Sequence, residues 1–164
     1  MVLAPQDFRD EEYLVPREVW EKAGHTVSTC STSKQAHGTL GAVIDVDFLI
    51  TDVEEGAFDG IFLVGGGGSF DLVSNNDLRS LTERFNANKK GIGAICAAPR
   101  LLLAWGLLKG KKCTGWNGDN KFENLAKQGQ GIFENKNAVR DEKFVTGDGP
   151  DSAEETGKLF LEVL

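Results

Sequence analysis

Among 164 residues the chain carries only 2 histidines, 4 prolines, 1 tyrosine and 1 methionine. Nowhere do apolar residues run for the ~18 positions that a membrane-spanning helix needs, so no membrane partner is expected. No basic segment followed by an apolar one opens it, so no secretory leader is expected. Lys and Arg total 18 against 25 Asp and Glu, a net charge of −7 without a basic cluster, which argues against a nucleic-acid surface. Three cysteines, an odd number, predict free thiols in a reducing cytoplasm rather than a disulfide framework. His25 and His37 stand in separate contexts and give no metal-ligand spacing, so no metal is expected.

What is present suits one domain over residues 1–164: 40% hydrophobic residues, 26% charged ones and 20 glycines, well above the usual ~7%. Short apolar runs alternate with helix-period segments. Strands are predicted at Met1–Ala4, His25–Cys30, Gly60–Val64 (GIFLV), Gly91–Ile95 (GIGAI), Lys112–Thr114, Ala138–Arg140 and Lys143–Thr146. Helices are predicted at Asp10–Gly24, Leu78–Asn88, Ala98–Gly106, Asn120–Lys127 and Asp151–Leu164. The first should bury Leu14, Val15, Val19, Trp20 and Ala23 and be kinked or irregular at Pro16; the last should be capped by Asp151 or Ser152. Ser31–Gly38 reads as a polar loop and Thr39–Val46 as extended chain. The alternation predicts an α/β sandwich with a mostly parallel sheet and helices on both faces, its ligand site at the carboxyl ends of the strands.

Two loops at those ends stand out. Gly65–Gly68 carries neither the glycine offsets of a dinucleotide fingerprint nor the Gly-Lys-Ser/Thr ending of a phosphate loop, so no nucleotide cofactor is expected. It is either a tight turn or a loop whose backbone N–H groups approach a reacting atom. Cys96, in Ala94-Ile95-Cys96-Ala97-Ala98, follows a strand, precedes a helix and has small residues two before and two after it. That is the pattern of a nucleophile elbow. A thiol there faces the Ala97 N–H and a helix start, which predicts ionisation below the free-thiol value of ~8.5. Cys30 and Cys113 lack this setting and read as bystanders, and Trp116 as either a pocket cap or loop packing. Of the acids Asp10, Glu11 and Glu12 at the start of the first helix, any could share a proton with Cys96, although a first turn is often acidic for dipole reasons alone.

The segments FRDEEYLVPREVWEKAGHTV, FDGIFLVGGGG, GAICAAPRLLLAWGLLKGKK and VTGDGP, in this order, resemble the PfpI/DJ-one superfamily over essentially the whole chain. The resemblance implies a flavodoxin-like sandwich that forms homodimers or larger assemblies. By position relative to Pro16, it implies Glu12 as the acid against Cys96, the N–H groups of Gly66 and Ala97 as oxyanion donors, and Gly65, Trp116, Gly149 and Pro150 as pocket lining. Three departures stand out: Ala97 replaces the His that follows the cysteine in PfpI-type members, Trp116 replaces a loop His of the other branch, and Asp148 replaces an Arg. Members usually have several residues before the equivalent of Val2, so the chain is expected to begin inside a strand and expose its edge. The first expectation for function is a cysteine enzyme acting on small electrophilic carbonyls, free or as protein adducts. Oxidation of Cys96 in a stress sensor or chaperone, peptide hydrolysis (disfavoured by the missing His) and an inherited, inactive scaffold are the alternatives.

Overall fold

A strand without polar residues must be covered on both faces, and two such strands lie at the centre of this chain. The computed structural model describes residues 1–164. In chain order it contains α1 (Asp10–Lys22), β1 (Cys30–Ser31), β2 (Gln35–His37), β3 (Val43–Asp45), β4 (Phe48–Leu49), β5 (Gly60–Leu63), α2 (Asn76–Ala87), β6 (Gly91–Ile95), α3 (Pro99–Ala104), β7 (Lys112–Cys113), α4 (Phe122–Gln128), β8 (Ile132–Phe133), β9 (Ala138–Asp141), β10 (Phe144–Gly147) and α5 (Ala153–Leu161). The main sheet runs β4–β1–Val2–β5–β6–β10–β9, parallel throughout except for antiparallel β9. This is the three-layer sandwich that the strand–helix alternation predicts, and it is flavodoxin-like, as the family resemblance implies. No helix is long and apolar enough to cross a membrane.

Phe62 on β5 meets Trp20 of α1 edge-on at 5.0 Å and Phe160 of α5 at 5.3 Å, which seals one face of the sheet. Helix α2 covers the other, where Leu78, Leu81, Thr82 and Phe85 are buried at helical spacing. Its start is fixed by Asn75, whose side chain accepts the Leu78 N–H at 2.8 Å. Helix α1 passes through Pro16 unbroken, and Gly157 of α5 packs against that proline.

The expected buried face of α1 needs correction. Leu14 and Ala23 are exposed, whereas Asp10, Glu12, Tyr13, Pro16 and Trp20 are buried. Two acids face inward because each finds a specific partner there, so the apolar period misleads. Met1–Ala4 is not a regular strand, yet Val2 is bridged to both Cys30 and Leu63, so no open edge results at that position. Regular pairing in the second predicted strand is confined to Cys30–Ser31. Residues 35–45 form an antiparallel hairpin in which the predicted extended segment Thr39–Val46 supplies β3, while β2 lies in the stretch Ser31–Gly38 that reads as a loop. Lys112–Cys113 pairs with β8 outside the main sheet. Ser152 precedes α5, but its hydroxyl turns back to the Gly149 carbonyl at 2.8 Å and caps no helical N–H.

Trp20 also donates its indole N–H to the Gly157 carbonyl at 2.8 Å, tying α1 to α5. Trp20→Ala should lower unfolding free energy by about 3–5 kcal/mol, as measured by urea titration. Trp20→Phe should lose less, since it retains most of the apolar contact with Phe62.

Candidate active site

The parallel register of β5 and β6 pairs Leu63 with Ala94. Two residues further on, Gly65 and Cys96 therefore leave the sheet side by side. Cys96 adopts a left-handed backbone, φ +61°, in the sharp turn that follows β6. Its own N–H is anchored on the Gly147 carbonyl of β10 at 2.9 Å. This is the elbow that the small residues around Cys96 predict.

Gly65 is buried, and a Cβ built on it would lie 2.4 Å from Glu12 Oε2, 2.6 Å from the Ile95 carbonyl oxygen and 2.7 Å from Cys96 Cβ. The absent side chain is what lets the α1 carboxyl reach the cysteine. Glu12 is fully buried, and neither of its oxygens makes a hydrogen bond of ordinary length and angle. Its polar neighbours are the Cys96 thiol and the Gly65 N–H, with the Arg9 charge further out. Burial pushes the Glu12 carboxyl up to about 7, against the partial compensation of those neighbours.

Cys96 moves the same way. Burial first, then the charge and hydrogen bond of Glu12, push its thiol up to about 12, while the N–H groups of Gly66 and Ala97 favour the thiolate. The expectation of an acidic thiol is thereby corrected. Helix α3 has only six residues and begins three positions beyond Cys96, so its dipole is too weak to offset a buried carboxyl. The two groups titrate as a pair, and between about 7 and about 12 they hold one proton between them.

Both N–H groups that face the sulfur are aimed by bonds on the far side of their peptide planes. The Gly65 carbonyl accepts the Arg9 N–H at 3.1 Å, which turns the Gly66 N–H of the same planar unit toward Cys96. Gly66 itself has φ +101°, and the Ser69 hydroxyl donates to its carbonyl at 2.7 Å. The Cys96 carbonyl accepts the Trp116 N–H at 2.7 Å, which turns the Ala97 N–H the same way.

The other sequence candidates have different fates. Asp10 accepts the N–H groups of Leu40 and Ala42, each at 2.8 Å, and holds the β2–β3 turn, and Glu11 pairs with Arg9 at 2.9 Å. Of the three acids in this turn, Glu12 is the one that meets Cys96. His25 is exposed beyond the end of α1, and the His37 main chain is bonded to Pro5 and Phe8. Asp148 follows Gly147, with its N–H on the Asn137 carbonyl at 2.8 Å. Gly149 and Pro150 lead into α5, and the polar contacts of Gly149 go to Ser152, not to the cysteine. Cys30 and Cys113 are buried, and burial raises both thiols. The Trp116 ring lies 5.2 Å from the Arg100 guanidinium, which also lies 5.4 Å from the Phe70 ring. Arg100 and Phe70 were not among the sequence candidates; the only available signal was that Arg100 lies one helical turn after Cys96.

A flavodoxin-like sandwich with a cysteine elbow, a buried carboxyl against it and two N–H groups aimed at the sulfur defines a class of cysteine-centred α/β proteins. Residues 1–163 match the model of the DJ-1/PfpI family, and the chain belongs to that family. It is 41% identical to an uncharacterized protein of Methanocaldococcus jannaschii, over all of this chain and 79% of that one. It is 28% identical to protein/nucleic acid deglycase 2 of Escherichia coli, over 99% of this chain and 95% of that one. Among solved structures, the ThiJ/PfpI domain protein of Brachyspira murdochii superposes with a TM-score of 0.93 at 27% identity, covering 99% of this chain and 92% of that one.

Because the folded Glu12 value lies above the ordinary 4.5, its favourable contribution is complete below about 4.5 and lost as pH rises through about 7. Glu12→Gln, neutral at every pH, should therefore melt several degrees above the parent protein at pH 8. The two should melt together near pH 4.5 in scanning calorimetry.

Proposed function

We propose that the protein is a cofactor-independent cysteine enzyme that converts small 2-oxoaldehydes, free or as their adducts on protein, to 2-hydroxy acids. The observation that carries this reading is the fully buried Glu12 carboxyl against Cys96, with a value of about 7 that places it at the working pH of a general base. The E. coli relative named as a deglycase supports the substrate class.

Attack begins with Glu12 ionised and Cys96 as the thiol. As the sulfur–carbon bond forms at the aldehyde carbon, the thiol proton passes to Glu12. The carbonyl oxygen takes the negative charge beside the Gly66 and Ala97 N–H groups. Return of the proton gives a hemithioacetal. Glu12 next takes the proton on the former aldehyde carbon and returns it to the adjacent carbon, while the hydroxyl proton passes from the first oxygen to the second through the enediol, leaving a thioester beside a hydroxyl. Water hydrolyses the thioester, releases the 2-hydroxy acid and restores the thiol, so a free 2-oxoaldehyde gains one water overall. An adduct enters the same sequence once its hemiaminal or hemithioacetal reverts to the aldehyde, the hydroxyl proton going to the departing protein amine or thiol. None of these steps needs the histidine that Ala97 replaces, which favours a carbonyl substrate over a peptide.

Methylglyoxal consumption and 2-hydroxy acid formation test the proposal. Cys96→Ala should abolish turnover, and Glu12→Gln should reduce it by about 10²–10⁴-fold. The parent kcat/KM should rise with pH through about 7, and that limb should vanish in Glu12→Gln. Turnover that survives Cys96→Ala would remove the sulfur from the mechanism. Absence of turnover together with selective gain of two oxygens at Cys96 under mild peroxide would assign the site to oxidation sensing instead.

A further inference from the structure

The two N–H groups that face Cys96 differ in how they are held. That of Gly66 is held twice, by Arg9 at the N-cap of α1, whose N–H meets the Gly65 carbonyl, and by Ser69, which closes the same loop. That of Ala97 depends on Trp116, which lies on a separate stretch between β7 and α4. The Trp116 N–H bonds the Cys96 carbonyl at 2.7 Å, and the Trp116 carbonyl in turn accepts from Arg100 Nη2 at 2.9 Å. Arg100 Nη1 and Nη2 also grip the two Asp119 oxygens at 3.0 and 2.7 Å. The guanidinium carbon also lies over two rings, 5.4 Å from Phe70 and 5.2 Å from Trp116.

We propose that Arg100 is a positioning residue that keeps the Ala97 N–H directed at the reacting centre by locking the Trp116 main chain onto the Cys96 carbonyl. Three observations separate this role from direct contact with a substrate. Both terminal nitrogens of Arg100 already have acceptors within the protein, and the one nitrogen without a partner, Nε, is buried in a side chain only 11% exposed, so little of the guanidinium reaches an incoming anion. Its charge is matched by Asp119, whose carboxyl is held down to about 2, first by the hydrogen bond from Arg100; the clamp thus stays assembled throughout the neutral range. Finally, the connection to the site is through a peptide plane. Because the Cys96–Ala97 unit is planar and trans, its carbonyl and its N–H point in opposite directions, and fixing one fixes the other. Release of the Trp116 bond frees that unit to rotate, and the donor then leaves the sulfur. A lysine cannot replace this arrangement, because one ammonium lacks the planar fork that holds two carboxylate oxygens and a carbonyl at once.

The kinetic part of the test rests on the carbonyl-addition reading; the alkylation part does not. In methylglyoxal turnover, Arg100→Ala should lower kcat by at least about tenfold with KM within about twofold, since a misdirected donor is missed chiefly in the transition state. Millimolar guanidinium should restore part of that loss and methylammonium should not. Arg100→Lys should resemble Arg100→Ala. Independently of any turnover, iodoacetamide should modify Cys96 several-fold more slowly in Arg100→Ala at pH 9, because the thiolate has lost one of its two donors. Asp119→Asn, which keeps the shape but weakens the grip, should show both effects in smaller measure and serves if Arg100→Ala does not fold. Unchanged or faster alkylation in folded variants overturns the proposal. So does a loss confined to KM, which would make Arg100 a substrate contact. If the parent protein turns over no methylglyoxal but the alkylation slows as stated, the carbonyl reading fails and the positioning role stands.

Discussion

Three groups compete for the place where a side chain on Gly65 would be: the Glu12 carboxyl, the Ile95 carbonyl and the Cys96 Cβ, all within 2.7 Å of the virtual Cβ. The site exists because no side chain is there. The β5–β6 register brings Gly65 alongside Cys96, and α1 lowers Glu12 onto the seam between them. Any residue larger than glycine would force the carboxyl away from the thiol or pull the two strand ends apart. The elbow at Cys96, the direction of the Gly66 N–H and the burial of Glu12 are all arranged around that one glycine.

Burial gives the arrangement its electrostatic character. A carboxyl and a thiol that share a dry space cannot both be charged at neutral pH, so the pair works with one proton. The surroundings treat the two groups differently. The carboxyl has few hydrogen-bond donors and is costly to ionise, while the sulfur faces two N–H groups that welcome charge when it arrives. The first-turn neighbours Asp10 and Glu11 have their own partners, main-chain N–H groups and Arg9 respectively, and the Glu11 charge adds only a smaller upward push on Glu12 than burial does.

Much of this was legible in the sequence where the information is local. GIGAI followed by small-Ile-Cys-Ala-small specifies a strand and an elbow with no help from the rest of the chain, and continuous apolar strands announce a covered parallel sheet. Glu12 was different. Asp10, Glu11 and Glu12 look alike in a first turn, and only the resemblance to a family singled one out. The structure shows their separate partners, which come from residues 9, 40, 42, 65 and 96. The same cause hid the buried face of α1, where two inward acids break the apolar period. Strand β3 lies within the extended segment read at Thr39–Val46, but β2 reads as loop because three residues with one buried side chain offer no alternation to detect. Arg100 gave no signal beyond its place four residues after Cys96, since its importance lies in partners 16 and 19 residues away.

Both donors at the sulfur belong to the main chain, and this has an evolutionary consequence. Position 97 supplies an N–H whatever its side chain, so a lineage can exchange alanine there for histidine or another residue, altering what surrounds the sulfur while leaving the donor in place. Substitution is unconstrained by that function with one exception: proline, which has no N–H to give. A new chemistry could thus be grafted at this position without first dismantling the old one.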